Sequence, residues 1–235
     1  MRPPIERWGV DADLCPLAGG HRNHAFATLG VASGQVLVFK STRRSEAALR
    51  WLDVVHNIAE DVGLVVPKLI KSRNGNLIED GWTCEPHLAG SHVSPDEVPS
   101  VGPQIIAFHA ATGDIPQRPG FLSSQDLIEQ ECGGDVDLRA MPGELVGRCR
   151  ELWSAVSGQR QAVIHGDLNP GNLIRCADGR TALIDWDECR RDLVLFDKAA
   201  LGKSTAEEQS ARLAWEVACS WQIEPHHARQ IASRL

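Results

Sequence analysis

Three polar residues stand at spacings that suit the handling of a phosphate group. Asp167 follows an apolar run in Val163-Ile164-His165-Gly166-Asp167-Leu168-Asn169-Pro170-Gly171-Asn172; Asn172 lies five residues on, and Asp185 thirteen beyond that. Asn172 opens the short apolar stretch Asn172-Leu173-Ile174-Arg175, and Asp185 closes a second one, Thr181-Ala182-Leu183-Ile184, with the turn formers Asp178-Gly179 between them. Folded as a hairpin, the two stretches bring Asn172 and Asp185 side by side. Two oxygen ligands held in this way suit a hard cation that keeps several waters and shares the phosphates of a nucleotide. Asp167, on the adjoining turn, can accept the proton of an attacking hydroxyl. Phosphoryl transfer asks for little more than in-line positioning and neutralised charge. Singly, each of these residues is an ordinary turn former. The register of the whole set after an apolar strand is what points to chemistry.

Such residues need elements to position them. Residues 24–30 and 35–41 are apolar and β-branched, and with Ser33-Gly34 between them they read as two strands and a tight turn. Ala48, Leu49, Leu52, Val55, His56 and Ile58 form an apolar stripe over a helix spanning residues 45–61, ended by Gly63 ahead of an extended segment at Pro67. Residues 68–88 read as further strands that turn at Asn74-Gly75 and Asp80-Gly81. Beyond Leu88-Ala89-Gly90 the pattern becomes helical. One helix falls within 95–112 and carries Ile105, Ile106, Phe108 and His109. Another spans 143–157, with Leu145, Val146, Cys149, Leu152, Trp153 and Val156 on its apolar side. The last starts at Ser204, where Ser204 and Glu207 fit a capping box, and closes near Trp221. The expected fold class is α+β, with a strand-rich lobe over residues 1–88 and a mainly helical lobe over 89–235.

Composition limits the partners. With 43% hydrophobic residues in 235, the chain can bury a real core, and a net charge of −7 speaks against a basic face for nucleic acid. The seven cysteines are odd in number and form no Cys-x-x-Cys pair, which argues for reduced thiols rather than a disulfide framework or a zinc ribbon. No apolar run reaches the ~18 residues of a membrane span, and the N-terminus lacks a signal-peptide core. A soluble cytoplasmic protein is expected, with neither nucleic acid nor membrane as partner.

The motif HGDLNPGN over residues 165–172, followed by LIDWDE over 183–188, resembles the aminoglycoside phosphotransferase and choline kinase branch of the protein-kinase-like superfamily. The resemblance implies a bilobal fold with a small antiparallel-sheet N-lobe, a mainly helical C-lobe, and ATP and Mg2+ at the site. It makes Asp167 the catalytic base and His165 a support of its loop, with Asn172 and Asp185 as the metal ligands. Lys40, ending Val36-Leu37-Val38-Phe39-Lys40, then reaches the nucleotide phosphates, under a turn built from Gly19, Gly20 and Asn23 that matches the family's GG..N loop. Of the acids on the following helix, Glu46 near its start, Asp53 in its middle and Glu60 near its end, family-like spacing back from Gly63-Leu64-Val65-Val66-Pro67 favours Asp53 as the partner of Lys40, where a glutamate is usual. Trp82–Gly90 falls at the adenine-binding hinge, with Glu85 and His87 as neighbours. Asp187 is a second-metal or substrate candidate, and Asp192 and Asp197 match a structural pattern.

Only 50 residues follow Asp185, and no Ala-Pro-Glu element appears. The implied acceptor is therefore a hydroxyl of a small molecule such as an aminoglycoside, choline, homoserine or a related alcohol. Trp153, Trp186, Trp215 and Trp221 read first as core and only second as a cation–π wall for a substrate ammonium. The alternative is a catalytically weak nucleotide-binding pseudokinase with a regulatory role, supported by the irregular partner of Lys40.

Overall fold

A computed structural model describes residues 2–17, 23–29 and 34–235. In chain order the elements are β1 (Asp13–Pro16), β2 (Ala25–Leu29), β3 (Leu37–Ser41), α1 (Glu46–Asp61), β4 (Trp82–Pro86), β5 (Gly90–His92), α2 (Gly102–Ala111), β6 (Cys132–Gly133), β7 (Val136–Asp137) and α3 (Gly143–Ala155). They continue as β8 (Gln161–Ile164), β9 (Leu173–Cys176), β10 (Thr181–Leu183), β11 (Arg190–Leu193), α4 (Leu195–Ala200), α5 (Ala206–Ser220) and α6 (Pro225–Ala232). The chain divides into two compact units, Met1–Ser91 with Ile174–Ile184, and His92–Leu173 with Asp185–Leu235. The expected boundary after residue 88 has no counterpart for the return of 174–184 to the first unit. Among the described residues, no helix is long and apolar enough to cross a membrane.

The first unit is built on the antiparallel sheet β1-β2-β3-β4. Its register sets Phe26 against Phe39 and Phe39 against Cys84, so these three share one face. On that face Trp8 packs edge-on against Phe39 at 5.5 Å, and its indole N–H donates to the Ile70 carbonyl at 2.7 Å. The opposite face carries Val38, Lys40, Thr83 and Glu85, because side chains alternate along each strand. Ser45 starts α1 by accepting from the Ala48 N–H at 3.2 Å, and the helix buries Ala48, Leu49, Leu52, Val55, His56 and Ala59. This matches the stripe read in the sequence, except that Ala59 takes the place given to Ile58.

Two sequence expectations in this unit change. β1 was not foreseen; three of its four residues are exposed, so it carries no apolar alternation to read. Conversely, residues 68–81 form no regular strand. There the Ser72 hydroxyl accepts from the backbone N–H groups of Asn74 and Asn76 and donates to Glu79 at 2.6 Å, so local polar side chains satisfy the backbone in place of a ladder. The turn at Asp80-Gly81 does form. Both residues take positive φ (+49° and +79°), and Glu79 and Trp82 exchange backbone hydrogen bonds across it, the geometry that Asp-Gly favours.

The second unit is mainly helical. Cys149 and Trp153 of α3 pack with Ala211, Ala214, Trp215 and Ala218 of α5, and Phe196 and Ile164 join the same core. The closing helix begins one residue later than expected: Thr205, not Ser204, accepts from the Glu208 N–H at 3.2 Å, and Glu208 accepts from the Thr205 N–H at 2.9 Å. Ser204/Glu207 and Thr205/Glu208 both fit the capping-box spacing, so the motif alone leaves the register open. α6 was not foreseen, and buries only Ala228 and Ile231.

Candidate active site

The site of the second unit grows from one strand pair. β8 and β11 run antiparallel with Ile164 opposite Arg190 and Ala162 opposite Asp192. The loop leaving β8 (165–172) and the loop entering β11 (185–189) therefore start from the same end of the pair. Gly166 marks their contact. Its φ is +88°, and a Cβ there would come within 2.8 Å of the Glu188 carbonyl oxygen and of an Arg190 guanidinium nitrogen. Only glycine suits both the backbone angle and the space.

Asp197 pins the start of the first loop. Its carboxylate accepts from the backbone N–H groups of His165 (2.9 Å) and Gly166 (3.0 Å) and pairs with His109 Nε2 of α2 at 2.9 Å. Complete burial pushes the Asp197 carboxyl toward the neutral form. The hydrogen bond and charge of His109, the nearby His165 and the Gly166 N–H outweigh that effect and hold it below the usual carboxylate range. His165 is itself buried. Its Nδ1 accepts from the Asp167 N–H at 3.3 Å, and its ring meets Trp186 edge-on at 4.9 Å.

Asp167 is held from both sides. One carboxylate oxygen accepts from Asn169 Nδ2 at 2.9 Å and the other from Asn172 Nδ2 at 2.9 Å, while both amides also donate to its backbone carbonyl. All four bonds end on oxygens, so each amide must present its NH2 to Asp167. The Oδ1 of Asn172 is left on the opposite edge, where a hard cation could take it. Asn169 in turn accepts from the Gly171 N–H at 2.8 Å and so closes the Pro170-Gly171 turn.

Asp185 is exposed and takes φ +62°, one of two non-glycine residues with positive φ among those described. Asp tolerates this left-handed conformation better than most residues, and backbone strain of this kind clusters at functional sites. The loop after it is anchored from inside. The buried Arg118 guanidinium donates to the carbonyls of Trp186 (3.2 Å), Asp187 (3.0 Å) and Cys189 (3.0 Å). Arg190, also fully buried, pairs with Asp192 at 2.9 Å and lies over the Trp215 ring at 3.3 Å. A buried arginine thus occupies that indole, and Trp153 and Trp215 belong to the core. Among the described residues, no cluster of three His, Cys, Asp or Glu could hold a metal by itself. Two oxygen ligands are enough for an ion that arrives with phosphate.

In the first unit, Lys40 Nζ meets Glu85 Oε1 at 2.9 Å. Asp53 stands half-buried on α1, and Asn23 lies just before β2. Gly19 and Gly20 lie outside the described residues.

A model of the phosphotransferase enzyme family matches residues 13–229. The chain belongs to that family. Among curated proteins, none matches the sequence significantly. Solved structures similar in fold include the amicoumacin kinase hAmiN in complex with AMP-PNP, Ca2+ and Ami (15% identity, TM-score 0.63, covering 93% of this chain and 78% of that one). The microcompartment-associated aminopropanol kinase is similar at 15% identity and TM-score 0.63, covering 97% and 91%. Choline kinase LicA from Streptococcus pneumoniae follows at 15% identity and TM-score 0.58, covering 96% and 95%. The fold of this phosphotransferase is thus the bilobal protein-kinase-like one, as the motif over 165–188 implied.

Sequence reasoning missed several residues that shape the candidate site. Asn169 could have been found, since an Asn ahead of Pro-Gly is a turn cap that also faces the preceding acid. His109 and Arg118 could not. They lie 88 and 68 residues from Asp197 and Trp186, the partners they hold, and nothing local marks them.

Proposed function

We propose that the chain is an ATP-dependent kinase of a small-molecule alcohol, with Asp167 orienting the acceptor hydroxyl and taking its proton. The observation that carries this reading is the cradle of Asp167: two amide donors fix its carboxylate oxygens while the group stays only half-buried. A carboxylate fixed in this way loses little entropy when it aligns a hydroxyl for in-line attack. Asn172 Oδ1 and the Asp185 carboxylate fit a magnesium ion, which when bound neutralises phosphate charge. In this reading Lys40 contacts the phosphates of the nucleotide, together with Gly19, Gly20 and Asn23. A regulatory pseudokinase is the weaker alternative, because Asp167, Asn172 and Asp185 are all present and Asp167 is held as a working base needs to be.

Purified protein with magnesium and ATP, offered a panel of aminoglycosides, amino alcohols, choline and homoserine, should release ADP and yield one phosphorylated product. Asp167→Asn should lower kcat by about 10²–10⁴-fold, the usual contribution of a positioned base, while nucleotide binding persists. Full turnover in that variant would refute the assignment. Absence of product across the panel, with nucleotide bound, would favour the pseudokinase.

A further inference from the structure

We propose that Glu85, on strand β4, is the positioning acid of Lys40, so that the lysine–carboxylate pair of this enzyme is built into the sheet and not shared with helix α1. The inference deepens the nucleotide-binding role given to Lys40 above and rests on it.

The pair follows from register. Lys40 is opposite Thr83 and Val38 is opposite Glu85, so Lys40 and Glu85 are diagonal neighbours on one face of adjacent antiparallel strands. Diagonal positions are within reach of long side chains. The Lys40 ammonium and the Glu85 carboxylate approach to 2.9 Å, at side-chain exposures of 24% and 12%. Such a pair is partly removed from water, so its attraction is screened less than on an open surface. Behind it the strands are fastened to one another, since the Thr83 hydroxyl donates to the Lys40 carbonyl at 3.3 Å. The opposite face of the same strands is closed by Phe39, Trp82 and Cys84, each no more than 1% exposed.

This arrangement has a functional consequence. An ammonium has three donors, so an N–H held by Glu85 does not by itself keep the lysine from phosphate oxygens. A carboxylate carried on a helix lets the helix's position switch the lysine on or off. One carried on the next strand is fixed by the ladder, and the lysine stays aimed whatever α1 does. The Asp at position 53, where a glutamate is usual, is then accounted for: α1 is relieved of the role.

The test reads Lys40 directly. Removing a neighbouring anion lowers the pKa of an ammonium and enlarges its free-base fraction. In Glu85→Gln, acylation of Lys40 by a water-soluble N-hydroxysuccinimide ester, followed by peptide mass spectrometry at fixed pH, should proceed roughly three- to tenfold faster than in the parent. The KM for magnesium-ATP should rise about tenfold, and Glu85→Asp should recover part of it. Asp53→Asn is the comparison. If it speeds acylation of Lys40 and Glu85→Gln does not, α1 carries the partner and the proposal is overturned. Tighter nucleotide binding in Glu85→Gln overturns it too, since Glu85 would then compete with phosphate for the lysine. Faster acylation in Glu85→Gln, together with a parent protein that binds no nucleotide, would uphold the pairing and remove the nucleotide reading.

Discussion

At the scale of single residues, the site depends on how a few side chains divide their hydrogen-bonding capacity. Asn169 gives its NH2 to Asp167 and its carbonyl oxygen to Gly171, so it uses both ends to set the Asp167 carboxylate and the turn at once. Asn169→Ala removes one donor to a charged oxygen, an interaction of about 1.5–3 kcal/mol, and kcat should fall roughly 10- to 100-fold with the circular dichroism spectrum retained. An unchanged kcat would mean that Asn172 alone positions the carboxylate. The cysteines give a second prediction. Burial pushes the thiols of Cys84, Cys149 and Cys189 up to about 12, whereas Cys15 and Cys132 are exposed. A chromogenic thiol reagent at pH 8 should therefore label Cys15 and Cys132 promptly and reach Cys84, Cys149 and Cys189 only on unfolding. Prompt labelling of any of the last three in the folded protein would contradict their packing. At this scale the sequence was most informative: Asp167, Asn169 and Asn172 lie within six residues, and their contacts with one another are made inside that span.

At the scale of elements, legibility depends on whether an element announces its partner. The capped helix α1 and the turn at Asp80-Gly81 do so through local chemistry, and both form where the pattern put them. Strand β11 does not. Arg190-Arg191-Asp192-Leu193 is too polar to read as a buried strand, and it is buried only because Arg190 finds Asp192 and Trp215 and because Asp192 accepts from the Ser124 hydroxyl at 2.7 Å. Asp192 lies in the same strand, but Trp215 and Ser124 come from distant parts of the chain, so no window of sequence contains the whole reason. Gly166 is where this strand pairing meets the motif. Gly166→Ala must strain a left-handed backbone by about 1–2 kcal/mol and must also displace the Glu188 carbonyl. The urea midpoint should drop by more than that strain alone accounts for, and activity should be lost with it. A variant of native stability and turnover would mean that the two loops are not packed as described. At the start of α5, Thr205→Ala removes the cap and should cost about 1 kcal/mol, whereas Ser204→Ala should cost little; the reverse ranking in urea would restore the earlier register.

At the scale of the whole molecule, the acid limit of stability is set from inside the second unit. Three carboxyls near the surface, half-buried Glu79 and Asp137 and exposed Asp178, sit below their usual range through local hydrogen bonds, where solvent screens much of the benefit. Asp197 differs, because it is wholly buried and joins α4, α2 through His109, and the loop that carries Asp167. Its folded pKa lies below the ordinary value of 3.8, so the folded state binds its proton less readily than the unfolded chain does. The stabilisation is therefore complete above about pH 4, weakens as the pH falls below the unfolded value, and is gone once the folded pKa has been passed. Asp197→Asn removes the charge but keeps the size, and because its NH2 cannot accept, at least one of His109 and the two backbone N–H groups loses its acceptor. Breaking a buried pair on one side costs about 3–5 kcal/mol. Urea unfolding of the variant at pH 7 should show that loss, and its midpoint should fall less steeply than the parent's between pH 5 and pH 3. A variant that tracks the parent at both ends would shift the acid limit onto the surface carboxyls. Because the same carboxylate fixes His165 and Gly166, the variant should also lose turnover at pH 7 under conditions where it is still folded, which ties the stability of the unit to the aim of Asp167.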